Sequence, residues 1–271
     1  MTTFQLISDI HLEHGPLTID NDGADVLVIA GDALVARHLL MRESRHPDIL
    51  EALSNYDTFF DDVSKKFNRV VHISGNHEHY VGDVTKTANT IRDYFSRYSN
   101  ITHLDNETID FGDVVLVGST LWTGFDHGDD NIMSIARYNM NDYYGVLNSA
   151  AMGRVSQKFD PEDSYEFHLD SINFIVNTVE SDINRDYFVV THHAPSRRSI
   201  TKREESAWFC YGSELDKVIK EHPQIRVWQH GHIHTKQNYM IGDTIVVANP
   251  RGYFGDKSAD EFSSGATLIR F

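Results

Sequence analysis

A chain of 271 residues with 40% hydrophobic content is long enough to bury a full-sized core, which excludes a peptide hormone or a disordered tail. Its 24 Lys and Arg against 40 Asp and Glu leave a net charge of −16, so an extended nucleic-acid footprint, gripped by cations on phosphates, is disfavoured. A single cysteine, Cys210, excludes an internal disulfide and a multi-cysteine zinc site, and it fits a reducing compartment. The opening Met1-Thr2-Thr3-Phe4 lacks a signal-peptide pattern, and no apolar run could span a bilayer, so a cytoplasmic location with no membrane contact is expected.

Short runs rich in Val, Ile and aromatics, each followed by turn residues, predict buried strands at 4–8, Val26–Ala30, Arg69–Ile73, 114–118, 187–191, 227–229, Thr244–Ala248 and 267–271. Between them lie helical stripes. Leu53, Tyr56, Phe60, Val63 and Phe67 recur at helical spacing behind Pro47, and Val84, Ala88, Ile91 and Phe95 form a second stripe. Asp160-Pro161-Glu162 opens a third, with Tyr165, Leu169, Ile172, Val176, Val179 and Ile183 on its apolar face, and Ser213 can cap a fourth. Strand–helix–strand alternation argues for an α/β layered core, read as one domain over 1–271. The polar stretch 122–158 is too long for a simple connection and is expected to be an insertion covering a site, a lid.

The informative residues stand where the strands end: Asp9-Ile10-His11, Gly31-Asp32, Gly75-Asn76-His77-Glu78, His192-His193 and His230-Gly231-His232-Ile233-His234. Taken singly, most are bland: Asp9 could cap a helix, Gly31-Asp32 could be an ordinary turn, and Asn76 tolerates left-handed turns. Five strand ends delivering Asp, Asn and His together are hard to explain by packing, because ligands of open α/β sheets gather at the carboxyl ends of strands. His232 and His234, two apart on an extended segment, share a face about 7 Å apart. Carboxylate, amide oxygen and imidazole nitrogen suit Mn²⁺, Fe or Zn²⁺, and a carboxylate such as Asp32 can bridge a metal pair. Such a pair lowers the pKa of bound water and clamps an in-line displacement at phosphorus.

In this order the five blocks, spanning Asp9 to His234, resemble the calcineurin-like metallophosphoesterases. The resemblance implies a four-layer α/β/β/α sandwich and two divalent metal ions, Mn²⁺ first, with Fe, Zn²⁺ or Ni²⁺ as alternatives. It implies that Asp9, His11 and His234 hold one metal, that Asp32 bridges, and that Asn76, His192 and His232 hold the other. His77 would contact the phosphate or protonate the leaving oxygen, beside a metal-bridging hydroxide. The block Gly31-Asp32-Ala33-Leu34-Val35-Ala36-Arg37 departs from the Gly-Asp-x-x-Asp-x-Gly of many members, which weakens a Ser/Thr protein phosphatase reading. Ser119-Thr120-Leu121-Trp122, Met140-Asn141-Asp142-Tyr143 and Asn249-Pro250-Arg251-Gly252-Tyr253 are similar to an uncharacterised bacterial and phage branch, for which the location would be the host cytoplasm.

Further candidates are weaker. Arg251, beside Tyr253, is a candidate phosphate or leaving-group contact, with a surface salt bridge as the equal reading. His38 could line the pocket, and Asn139, Asp142, Tyr143 and Tyr144 could form the lid. Trp208 and Tyr211 could stack on a ring, the run Lys202 to Glu205 reads as solvated, and Cys210 reads as structural. The expected function is hydrolysis of a small, nucleotide-like phosphodiester. A phosphomonoesterase on a nucleotide or phosphoprotein, a nuclease on short or single-stranded ends, and a non-catalytic metal-binding scaffold are the alternatives.

Overall fold

The computed structural model describes all residues except 152–156, 203, 254–261 and 263–266. Two sheets lie face to face. The first has the order β11 (Leu268–Arg270), β1 (Thr3–Ile7), β2 (Val26–Ala30), β3 (Arg69–Ile73), β4 (Ile101–Leu104), parallel except for β11. The second has the order β5 (Glu107–Asp110), β6 (Val114–Ser119), β7 (Asp186–Thr191), β8 (Ile225–Gln229), β10 (Thr244–Ala248), β9 (Gln237–Ile241), with the two edge strands antiparallel.

Alternation along each strand divides the apolar residues between two faces. Phe4, Leu6, Val26, Val28, Val71 and Ile73 meet Val114, Leu116, Phe188, Val190, Val227 and Val247 between the sheets. Outside the first sheet, Leu27, Ile29 and Val70 bury against Tyr56, Phe59, Phe60 and Val63 of the helix Pro47–Lys66 and Ile91 and Phe95 of the helix Val84–Phe95. Outside the second, Val117, Val189, Trp228 and Val246 meet Ile175 and Val179 of the helix Pro161–Ser181. The layers therefore run α/β/β/α, as expected.

Some elements differ from expectation. Strands β4, β5 and β9 escaped the pattern because two are exposed edges with polar residues and the third carries His103 inward. The helix Pro161–Ser181 opens after Asp160 as expected, with an unanticipated capping box to Asp163, but it buries Ser164, His168, Ser171, Ile175 and Val179 and leaves Leu169 exposed. Ser213 caps nothing: its hydroxyl accepts from the Gly124 amide, and the short helix is Asp216–Glu221.

The stretch 122–158 forms short helices Phe125–Gly128, Asp130–Asn139 and Asp142–Gly145 around Trp122, Phe125, Met133, Phe159, Phe209 and Cys210. Burial pushes the Cys210 thiol up to about 12, which suits a packing residue. No helix among the described residues is long and apolar enough to cross a membrane.

Candidate metal centre

Five strands point their carboxyl ends at one place. Asp9 and His11 follow β1, Asp32 follows β2, Asn76 and His77 follow β3, His192 follows β7, and His232 and His234 follow β8. His192 Nδ1, beyond β7, ties the two sheets together by donating to the Ala30 carbonyl of β2 at 2.9 Å, and the Gly231 amide donates to the His192 carbonyl within the second sheet. Asp9, His11, Asp32 and His232 all have left-handed backbones, with φ between 41° and 65°. Each such residue costs of order 1–3 kcal/mol, so strain is concentrated on four candidate ligands. Two glycines make the approach possible. A Cβ at Gly31, whose φ is 82°, would lie 2.6 Å from the Gly75 nitrogen, and one at Gly75 would lie 2.6 Å from His192 Cε1.

The candidate ligand atoms converge in two trios, Asp9 with His11 and His234, and Asp32 with His192 and His232. Asp32 faces both. Its Oδ2 lies 3.8 Å from His11 Nε2, and its Oδ1 lies 3.3 Å from His192 Nε2. The His77 amide donates to Asp32 Oδ1 at 2.9 Å, which fixes the carboxylate plane. Asn76 joins the second trio through its amide oxygen, 3.0 Å from His192 Nε2. That orientation is set from behind, because Asn76 Nδ2 donates to Asp142 Oδ1 at 2.8 Å and to the Tyr80 hydroxyl at 3.0 Å.

Whether these residues fit divalent cations can be judged from what their polar atoms lack. Asp9 Oδ2 and His232 Nε2 are buried without a hydrogen-bond partner. His11 Nε2 and His234 Nε2 face each other at 3.2 Å, two nitrogens converging on one point. His192 has an acceptor at each nitrogen, so protons stand where a cation would. Burial alone would lower its pKa, but Asp32 outweighs burial and raises it to about 10. Burial likewise works against the Asp32 carboxylate, and the imidazoles of His192 and His77 hold it well below the usual range. Orphaned acceptors and protonated imidazoles around one carboxylate are what a cation pair would satisfy.

Behind the ligands, the buried Glu78 accepts from the amides of Asp32, Ala33 and Gly75 at 2.6–2.9 Å, clamping the two loops that carry Asp32 and Asn76. His193 stacks on Trp122 and lies 4.3 Å from the His232 ring, and His230 accepts or donates to Ser199 at 2.8 Å.

Several sequence candidates stand elsewhere. Arg251 donates to the carbonyls of Ile10, Gly15 and Pro16, and among the described residues it makes no salt bridge. His38 pairs with the Tyr56 hydroxyl, outside the cleft. Tyr143 is buried and stacks on Phe159, so it builds the wall from inside and does not line the cleft. Trp208 receives the Arg197 guanidinium and lines a separate hollow with Tyr165 and His168. Of the run Lys202 to Glu205, Arg203 lies outside the described residues, and Glu204 reaches the cleft rim.

A cleft of about 290 Å³ opens over the two trios, lined by Asp32, His77, His232 and His234 below and by Tyr80, Tyr211 and Tyr253 around it, with Asn139, Met140 and Asn141 from the 122–158 stretch. Glu13, Glu78 and Tyr80 were not singled out from the sequence. Glu78 stood inside the quoted Gly75–Glu78 block, and Glu13 follows His11 by two residues, the only signal either offered.

The calcineurin-like phosphoesterase family profile matches residues 3–236. The chain belongs to that family. It is a metal-dependent phosphoesterase. An uncharacterized protein of Acanthamoeba polyphaga mimivirus is 24% identical over 216 residues, 74% of each chain. The phosphopantetheinyl hydrolase of Mycobacterium tuberculosis superposes with a TM-score of 0.61 at 15% identity, over 93% of this chain and 89% of that one, a likeness of fold.

Proposed function

We propose that this phosphoesterase hydrolyses a small phosphodiester using two divalent cations, Mn²⁺ foremost. Asp9, His11 and His234 would hold one, Asn76, His192 and His232 the other, with Asp32 between them. Cations so held would supply an activated water and charge to offset the phosphate. His77 stands over Asp32 with Nε2 towards the cleft. Burial alone would lower its pKa, but Asp32, Glu13 and Asp142 outweigh burial and raise it to about 9 before cations bind, and with Nδ1 on Glu13 its Nε2 is the nitrogen placed to donate a proton.

One observation carries the diester over the monoester. No Lys or Arg is among the described residues lining the cleft, and Glu204 stands at its rim. A dianionic monoester usually calls for a guanidinium beside the phosphate, and here the nearby Arg251 is spent on backbone carbonyls. A monoanionic diester needs no such cation, and its second substituent would lie on the rings of Tyr80, Tyr211 and Tyr253. A nucleotide-like substituent suits those rings.

The test compares bis-nitrophenyl phosphate with nitrophenyl phosphate on the Mn²⁺-loaded protein. We expect kcat/KM to favour the diester roughly tenfold or more. Preference for the monoester would make the protein a phosphatase of nucleotides or phosphoproteins.

A further inference from the structure

The carboxylate of Glu13 touches both sides of the chemistry. It sits in the tight turn Leu12–His14, with its side chain only 7% exposed. A single oxygen, Oε1, lies 3.1 Å from His11 Nδ1 and 3.0 Å from His77 Nδ1, while Oε2 is buried without a partner. Two imidazoles sharing one carboxylate oxygen must both present N–H through Nδ1. That leaves Nε2 of His11 towards the first trio and Nε2 of His77 towards the cleft, where the Tyr253 hydroxyl stands 3.1 Å away.

The turn that carries Glu13 is itself braced. Arg251 donates to the carbonyls of Ile10, Gly15 and Pro16, on both sides of the turn, and Asn55 donates to the Leu12 carbonyl. The loop after Asp32 offers no alternative: Ala33, Leu34, Val35 and Ala36 are apolar and buried.

We propose that Glu13 is the positioning residue for His77, fixing its tautomer and ring so that Nε2 delivers a proton to the leaving oxygen, and that Arg251 acts by setting Glu13. In that step a hydroxide derived from water bonds to phosphorus while the phosphorus–oxygen bond to the leaving group breaks, its electron pair going to the leaving oxygen. The Nε2–H bond breaks as the proton goes to that oxygen, and His77 becomes neutral, keeping Nδ1–H on Glu13 until solvent returns the proton. The proposal rests on the phosphoesterase reading with His77 at the leaving group, so its test is built to separate the two.

The experiment takes diesters whose leaving groups run from nitrophenolate through phenolate to an alkoxide, with wild type, Glu13→Ala, Glu13→Gln, His77→Ala and the Glu13→Ala/His77→Ala pair. A poor leaving group depends most on the donated proton, so Glu13→Ala should lose roughly 10²-fold more on the alkyl diester than on the nitrophenyl diester. In the His77→Ala background it should lose nothing further, and Glu13→Gln, which keeps one acceptor and the volume, should recover part of the loss. A substrate-independent reading comes from ¹⁵N shifts of the His77 ring recorded above its pKa, where it is neutral: one Nδ1–H form in wild type and Glu13→Gln, a mixture in Glu13→Ala. Equal losses on every leaving group together with lost metal would overturn the proposal and leave Glu13 as a support for His11 alone. A wild type that turns over only monoesters would overturn the diester reading and leave the ring measurement to decide on Glu13.

Discussion

The two walls of the cleft are built on different terms. The floor, at the ends of β1, β2, β3, β7 and β8, is held by main-chain contacts, left-handed candidate ligand residues and the Glu78 clamp. The wall from 122–158 is held by side-chain packing around Trp122 and Phe159, and it leaves Ile135, Tyr138 and Tyr144 exposed. Strand ends hold side chains rigidly, whereas segments packed on top of a sheet are freer to vary. Disturbing the floor should therefore alter metal content and turnover, and disturbing the wall should alter substrate binding.

The largest effect should come from removing the metals. Without cations His192 and His77 both hold protons, their pKa values raised to about 10 and about 9 by the Asp32 carboxylate against the effect of burial. Both are raised above the unfolded value near 6.5, so the stability they contribute is fully present below that pH and is lost as pH rises through 9 and 10. Thermal melts of the chelated protein should fall steeply between neutral pH and pH 10, and metal-loaded protein should resist that fall. A flat profile after chelation would show that the floor does not depend on its protonated imidazoles.

Next comes His77→Ala. Removing a proton donor should lower kcat by roughly 10²–10⁴-fold with metal content unchanged, read by turnover and metal analysis on the same sample. Loss of a metal ion alongside turnover would move His77 from donor to ligand.

Asp142→Asn probes the seam between the walls, because Asp142 belongs to 122–158 yet orients Asn76 in the floor. Buried outer partners of this kind set metal affinity by roughly 10–100-fold, and metal titration should show that loss at one of two sites. Equal weakening at both sites would mean that the wall supports the floor as a whole.

How much of this was legible in the sequence follows the same division. The floor residues are read from strand ends because a strand forces its neighbours' ends together, so order along the chain becomes proximity in space. What the sequence hides is contact between distant loops. Glu13 and His77 are 64 residues apart, and Arg251 lies 235–241 residues from the carbonyls it binds. No periodicity records such pairs. Asp142 and Tyr143 adjoin, and which of them faces the metal ligands is decided by the turn at Asp142–Gly145 and by the Phe159 ring, neither visible in a polar, weakly periodic stretch. The helix Pro161–Ser181 places Tyr165, Ile172 and Val179 against the core as expected, and departs in burying small Ser164 and Ser171 while Leu169 is exposed.

The smallest effects belong to the wall itself. Asn139 is exposed, lines the cleft and donates only to its own helix at the Ile135 carbonyl, and Tyr211 lies with its ring 5.3 Å from His232. Both belong to the wall, although the Tyr211 ring also lies against the candidate ligand His232. Asn139→Ala and Tyr211→Leu should therefore raise KM for the diester by about three- to tenfold while kcat stays within about twofold, the pattern of an interaction made equally with substrate and transition state. The change should be larger for a diester with an aromatic second substituent than for a methyl one, since only the former can lie on the ring of Tyr211. If Tyr211→Leu lowers kcat with KM unchanged, its ring is holding His232 in place, and the floor extends one residue further into the wall than the hydrogen bonds indicate.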